Sequence, residues 1–179
     1  MSRALVISVL GPDRPGIVAA MSRVMFDLGC NFVQVGSTIL GGHFAMTMHA
    51  RCADDLDESL VRSDIAAASR AFDLQTAVKI VPEDQAQDPA THAVSLAGAD
   101  KPGIVYRVAD TLAGMGINIL DLDLRVQEHE GNPTCSLEVS VRCPPSVELE
   151  IALPPLREEL GTDVHVRRVG MGNPGNAGL

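Results

Sequence analysis

The sequence predicts an α+β protein made of two copies of one small unit, each running β-α-β-β-α-β. Three observations predict it. Residues 11–32 and 98–119 repeat without a gap at a constant shift of 87, carrying Asp13 to Asp100, Pro15 to Pro102, Gly16 to Gly103, Gly29 to Gly116 and Asn31 to Asn118. Apolar residues change from strand to helical spacing in the same order in both halves. A polar stretch with two prolines and no periodicity, residues 82–91, separates them. The expected division is residues 1–82 as the first domain, 83–91 as linker, 92–170 as the second domain and 171–179 as a Gly- and Asn-rich tail.

The elements follow in order. Leu5 to Leu10 reads as a short apolar strand, and Ala93 to Ala97 is its counterpart. After the Gly-Pro-Asp-Arg-Pro-Gly turn, Ile17, Val18, Met21, Val24, Met25 and Leu28 fall at helical spacing. In the second copy Ile104, Val105, Val108, Leu112 and Met115 do the same, and Gly29 and Gly116 stand where each helix stops. A strand from Asn31 to Leu40 comes next, then a Gly41-Gly42 hairpin and a strand from Phe44 to Cys52. The matching strand, Cys135 to Cys143, lies at a shift of 91, which predicts a second hairpin loop four residues longer, around residues 128–133. Second helices are expected over about residues 56–71 and 147–160, the latter broken by Pro154-Pro155. Leu74 to Val81 and Val164 to Val169 close the units. This is the ferredoxin-like plan: a four-stranded antiparallel sheet with both helices on one face. Each unit would leave a sheet face or edge to be covered, so the two are expected to pack as a pseudo-twofold pair, and an isolated first unit to self-associate or unfold.

Composition excludes several function classes. The chain has 179 residues, 14 Lys+Arg against 23 Asp+Glu, and a formal charge of −9. Direct nucleic-acid binding needs clustered cations, and no basic patch is present. Residues 92–170 carry 7 basic and 12 acidic groups, against 7 and 8 in residues 1–82, so the second unit is the more acidic. No apolar stretch is long enough to span a bilayer, and no signal-peptide pattern is found, which predicts a cytoplasmic protein. Cys30, Cys52, Cys135 and Cys143 have no C-x-x-C spacing and are expected as reduced thiols filling apolar positions. The five histidines show no metal-binding spacing, and Ser37, Ser95 and Ser136 lack a nucleophile-elbow context. His43 reads as solvated and His49 as structural. Asp121, Asp123, Glu128 and Glu130 read as a solvated acidic hairpin. A loose G-x-G-x-x-G at Gly170, Gly172 and Gly175 has no helix after it and is discarded. Neither a catalytic constellation, a metal site nor a cofactor is expected.

The repeated Gly-x-Asp-x-Pro-Gly carries the chemistry that remains. A helix start offers unpaired N–H groups and a positive dipole end, which suit a carboxylate or phosphate. Asp13 and Asp100 could accept from an ammonium, and the amides of Asn31 and Asn118 both donate and accept. The four groups are expected near one end of each sheet. A structural reading stands beside this one: Asp caps the helix, Pro and Gly shape the turn, and Asn ends the helix.

These residues also carry a family resemblance. A β-α-β-β-α-β unit opening on D-x-P-G, with an aliphatic helix and then Gly-x-Asn, resembles an ACT domain, and both halves match. The tandem pair with G-x-D-x-P-G-I-V resembles the glycine cleavage system transcriptional repressor group. ACT domains are regulatory modules that bind amino acids between paired domains. The resemblance implies a non-catalytic sensor of a small amino acid, glycine or serine, that controls a protein partner, either a transcription regulator or an enzyme. It implies ligand contacts at Gly11, Asp13, Gly16 and Asn31, and at Gly98, Asp100, Gly103 and Asn118, the loop of one unit facing the second strand of the other. A homodimer is compatible with it. Gly11 and Asp13 stand where several ACT enzymes have His and Asn.

Two other readings are carried forward. One is the regulatory region of an enzyme, since the N-terminal parts of formyltetrahydrofolate deformylase and phosphoserine phosphatase resemble these units; each needs a further catalytic domain, for which this chain has no room. The other is a ligand-free dimerisation module.

Overall fold

The computed structural model describes residues 3–53, 55–82, 88–129 and 131–169. The chain divides into two compact units, Met1–Ala86 and Gln87–Leu179. The first runs β1 (Arg3–Pro12), α1 (Ile17–Asp27), β2 (Asn31–Leu40), β3 (His43–Cys52), α2 (Glu58–Arg70) and β4 (Gln75–Pro82). The second runs β5 (His92–Ala99), α3 (Ile104–Gly114), β6 (Asn118–His129), β7 (Asn132–Arg142), α4 (Leu149–Ala152), α5 (Pro154–Leu160) and β8 (Asp163–Arg168). Each unit is ferredoxin-like, and its sheet is antiparallel throughout, in the orders β2-β3-β1-β4 and β6-β7-β5-β8. Residues 83–87 of the expected linker and the whole expected tail lie outside the described residues, as does the discarded glycine motif.

Period-two and period-four burial build the cores. Leu5, Ile7 and Val9 of β1 alternate onto the face that meets Ile17, Met21 and Met25 of α1. Those three recur every four residues, so they line one side of the helix. Ile104, Val108 and Leu112 repeat the pattern in α3 against Val94 and Leu96 of β5. Val18, expected on the buried face, is 48% exposed, because the stripe at 17, 21 and 25 already fills the contact with the sheet. Both helices end in a left-handed glycine, Gly29 at φ +67° and Gly116 at φ +71°. The N–H of the next residue then reaches back to close the last turn, Cys30 to the carbonyl of Met25 and Ile117 to that of Leu112.

The second hairpin corrects the expectation of a longer loop. Leu40 pairs with His43 across Gly41-Gly42, and His129 pairs with Asn132 across an equally short two-residue connection. The extra residues go into pairing, β6 being two residues longer than β2 and β7 one longer than β3, because pairing satisfies backbone groups that a loop would leave to water. Pro154-Pro155 breaks the last helix as expected, giving α4 and α5 around Leu153.

Cysteine chemistry also departs from expectation. Cys30 and Cys52 form a disulfide, with their Cα atoms 4.4 Å apart. Asn31 faces Arg51 in the β2–β3 ladder, so Cys30 and Cys52 fall one step beyond it. A close antiparallel pair sets Cα atoms about 4.5 Å apart, within disulfide reach, without any C-x-x-C spacing. Cys135 and Cys143 are free and buried. Among the described residues no helix is long and apolar enough to cross a membrane.

Candidate functional site

The loop before the first helix has the same construction in both units. Gly16 and Gly103 occupy the N-cap positions at φ +97° and +92°, a left-handed conformation that favours glycine. Neither helix has a side-chain cap. The first intrahelical bonds come from the N–H of Ala20 to Gly16 and of Arg107 to Gly103. Ahead of them stand the N–H groups of Ile17, Val18 and Ala19, and of Ile104, Val105 and Tyr106, at the positive end of the helix dipole.

Asp13 and Asp100 do not cap these helices, so that part of the structural reading is set aside. Their backbones are tied to the hairpin turns instead: the Asp13 N–H donates to Gly42 at 3.3 Å, and that of Asp100 to Pro133 at 2.9 Å. Both residues are exposed, next to the uncapped helix starts. By contrast Asp57 caps α2, its carboxylate accepting from the Ser59 N–H at 2.8 Å.

Gly11 and Gly98 have an internal reason to be glycine. A β carbon on Gly11 would lie 2.7 Å from Leu74 Cδ2 and 2.9 Å from the Asp73 carbonyl oxygen. One on Gly98 would lie 2.7 Å from Thr162 Cγ2. In each unit the strand presses against the turn that follows the second helix.

Asn31 and Asn118 open β2 and β6 and are exposed, but they correct the expectation that loop and asparagine share one end of the sheet. Gly11 faces Phe44 on β3, whereas Asn31 faces Arg51; Gly98 faces Cys135 on β7, whereas Asn118 faces Arg142. Seven strand residues separate the two levels in both units, about 23 Å at the usual rise. The first helix runs back along the sheet and delivers the chain to the far end. No small ligand touches both groups of a single unit.

Two neighbours of the loop in the second unit were not singled out by sequence. Lys101 donates from Nζ to the carbonyl of Leu160 at 2.7 Å, so its charge caps the end of α5. Thr162 is 3% exposed, and its Oγ1 has no hydrogen-bond partner among the described residues. The repeat masks this difference, because the equivalent contact in the first unit is made by Leu74.

Other features lie apart from the loops. A cleft of about 220 Å³ in the second unit is lined by Glu150, Leu153, Arg157, Val164, His165 and Val166. Its charges are paired, Arg157 with Asp163 at 2.8 Å and Glu150 with Arg168 at 3.2 Å. A hydrogen bond from the backbone and then Arg168 hold the Glu150 carboxyl below its ordinary range. His43 is exposed, and Asp123 of the acidic hairpin pairs with Arg125. Among the described residues no group of His, Cys, Asp and Glu is placed to hold a metal ion.

A duplicated ferredoxin-like unit with an uncapped, glycine-started helix in each copy defines a class of small paired modules. The family model for the ACT domain matches residues 3–79 and again 92–167, and the chain belongs to the ACT domain family. It is similar to the glycine cleavage system transcriptional repressor of Escherichia coli, at 28% identity over 76% of this chain and 72% of that protein. It is also similar to a phosphoserine phosphatase of Mycobacterium tuberculosis, at 28% identity over 94% of this chain, and spans only 41% of that enzyme's length. The crystal structure of an unknown protein from Galdieria sulphuraria matches with a TM-score of 0.81 at 26% identity, covering 94% of this chain and 99% of that one.

Proposed function

We propose that this chain is a non-catalytic regulatory protein that binds a small amino acid, glycine or serine, and controls a protein partner. The observation that carries the reading is the doubled helix start: free N–H groups at the first turn of α1 and of α3, with an exposed aspartate three residues before each N-cap glycine. The N–H groups would hold the ligand carboxylate, and Asp13 or Asp100 its ammonium. Gly16 and Gly103 let the ligand approach the backbone, while Gly11 and Gly98 shape the loops from below. Asn31 and Asn118 form a second contact group that acts separately from the loop of their own unit. The similarity to the Escherichia coli repressor supports a transcription regulator as the partner.

The match to 41% of a phosphatase that nonetheless covers 94% of this chain supports a second reading, in which the chain regulates a metabolic enzyme. Calorimetric titration of the full chain with glycine, serine and larger amino acids tests the ligand. Saturable binding of a small amino acid is expected, with no turnover of phosphoserine. A charge-assisted hydrogen bond is worth about 1.5–3 kcal/mol, so Asp13→Ala, Asp100→Ala, Asn31→Ala and Asn118→Ala should each weaken one site roughly 10- to 100-fold. Absence of binding at millimolar concentration would leave the ligand-free dimerisation module as the better account.

A further inference from the structure

We propose that Cys30 and Cys52 form a reversible thiol–disulfide site that exchanges with small-molecule thiols and disulfides. Its redox state sets how firmly the start of β2, and with it Asn31, is held in the first unit. The inference does not depend on which amino acid binds, or on whether one does.

The second unit supplies the comparison. One step beyond the Asn31–Arg51 pair stand Cys30 and Cys52; one step beyond Asn118–Arg142 stand Ile117 and Cys143. All four residues are buried, at 8%, 8%, 5% and 6% exposure. The same frame therefore closes around a non-covalent contact in one unit and a covalent one in the other. Two thiols are small hydrophobes and can fill the first site as an aliphatic side chain and a thiol fill the second. The fold does not need the bond, which leaves the bond free to report redox conditions.

Its position gives it a consequence. β2 is an edge strand of its sheet and, among the described residues, its one strand neighbour is β3. Its ladder shifts register between Phe32 and Gln34, so the pairs at Asn31 and Phe32 are set off from the rest. The disulfide ties this short end to the last residue of β3. Without it, the end is held by two rungs and the turn that closes α1. Opening there is a local event and exposes the sulfur atoms to an incoming thiolate.

The chemistry balances. An external thiolate attacks one sulfur, forms a mixed disulfide and releases the other cysteine as a thiolate. A second external thiolate attacks the sulfur of the small molecule, forms the external disulfide and releases the remaining cysteine. Two electrons pass to the protein pair, and both cysteines take up protons; a small-molecule disulfide drives the reverse. Cys135 and Cys143 take no part. Burial pushes both thiols up, so they stay protonated and are poor nucleophiles.

The test uses the full chain equilibrated with dithiothreitol or with oxidised glutathione. Alkylation and mass spectrometry should find Cys30 and Cys52 changing state together while Cys135 and Cys143 do not. Amide exchange at Asn31 and Phe32 should be at least about tenfold faster in the reduced protein, with Asn118 and the core amides of Ile7 and Met48 unchanged. A Cys30→Ala/Cys52→Ala variant should fold and show the fast exchange in both buffers. Three results would overturn the proposal: a pair reduced only when the whole unit unfolds, equal exchange at Asn31 in both states, or a double variant that does not fold. None of these bears on amino-acid binding, which is read separately by titration.

Discussion

Gly98 and Thr162 meet so closely that a β carbon on the glycine would sit 2.7 Å from Thr162 Cγ2, and the same turn leaves Thr162 Oγ1 buried without a partner among the described residues. Gly98→Ala should therefore destabilise the second unit by about 1–3 kcal/mol through overpacking. Gly11→Ala should do the same in the first unit, against Leu74 and the Asp73 carbonyl. Thr162→Val removes the unpaired hydroxyl at similar volume and should stabilise the second unit by about 1 kcal/mol. Urea denaturation followed unit by unit checks all three.

Helix capping separates the aspartates. Asp57→Ala should cost about 1 kcal/mol, because its carboxylate fills the Ser59 N–H. Asp13→Ala and Asp100→Ala should stay within about 0.5 kcal/mol of the parent, since neither caps a helix. A cost at Asp13 equal to that at Asp57 would restore the capping role in solution.

The free thiols predict an alkaline weakness in the second unit. Burial is the main cause that raises both; Asp100 adds to it for Cys135, and Glu150 adds to it for Cys143 against the opposing Arg168. A raised value in the folded state favours the protonated, folded form. That stability is complete below the ordinary thiol pKa of about 8.5 and is lost as pH rises through the folded value. Denaturation midpoints of the second unit should hold steady from neutral pH to about 8.5 and fall above it. A Cys135→Ala/Cys143→Ala variant should show a smaller fall.

Closing a loop of sequence separation 22, the Cys30–Cys52 bond should contribute about 3 kcal/mol to the first unit by constraining its unfolded chain. Reduction should lower that unit's denaturation midpoint and leave the second unit's in place.

Much of the fold was legible because the chain states it twice. The shift of 87 aligned turns, helix stops and strand starts, and the bounds Asn31–Leu40 of β2 match the expectation. The Pro154-Pro155 break followed from the missing N–H and the fixed φ of proline. What sequence hid was three-dimensional adjacency. Cys30 and Cys52 are neighbours only through the register of a hairpin, and spacing rules for cysteine do not see register. Likewise Asn31 looks close to the Asp13 loop along the repeat, yet a helix of 11 residues, about 16 Å long, carries it to the far end of the sheet. Gly11 and Gly98 entered as ligand positions through the family resemblance, which carries no information on the Leu74 and Thr162 contacts beside them. Thr162 lies outside the repeated motif and gave no signal.

The central claim, that the two helix starts bind the carboxylate of a small amino acid, is tested most directly by titrating the labelled full chain with glycine and serine while following its backbone amides. Saturable shifts are predicted first and largest at Ile17 and Val18 and at Ile104 and Val105, lost in the first pair with Asp13→Ala and in the second with Asp100→Ala. Saturable binding whose shifts gather elsewhere, for example around the cleft at Glu150 and Arg157, would contradict it.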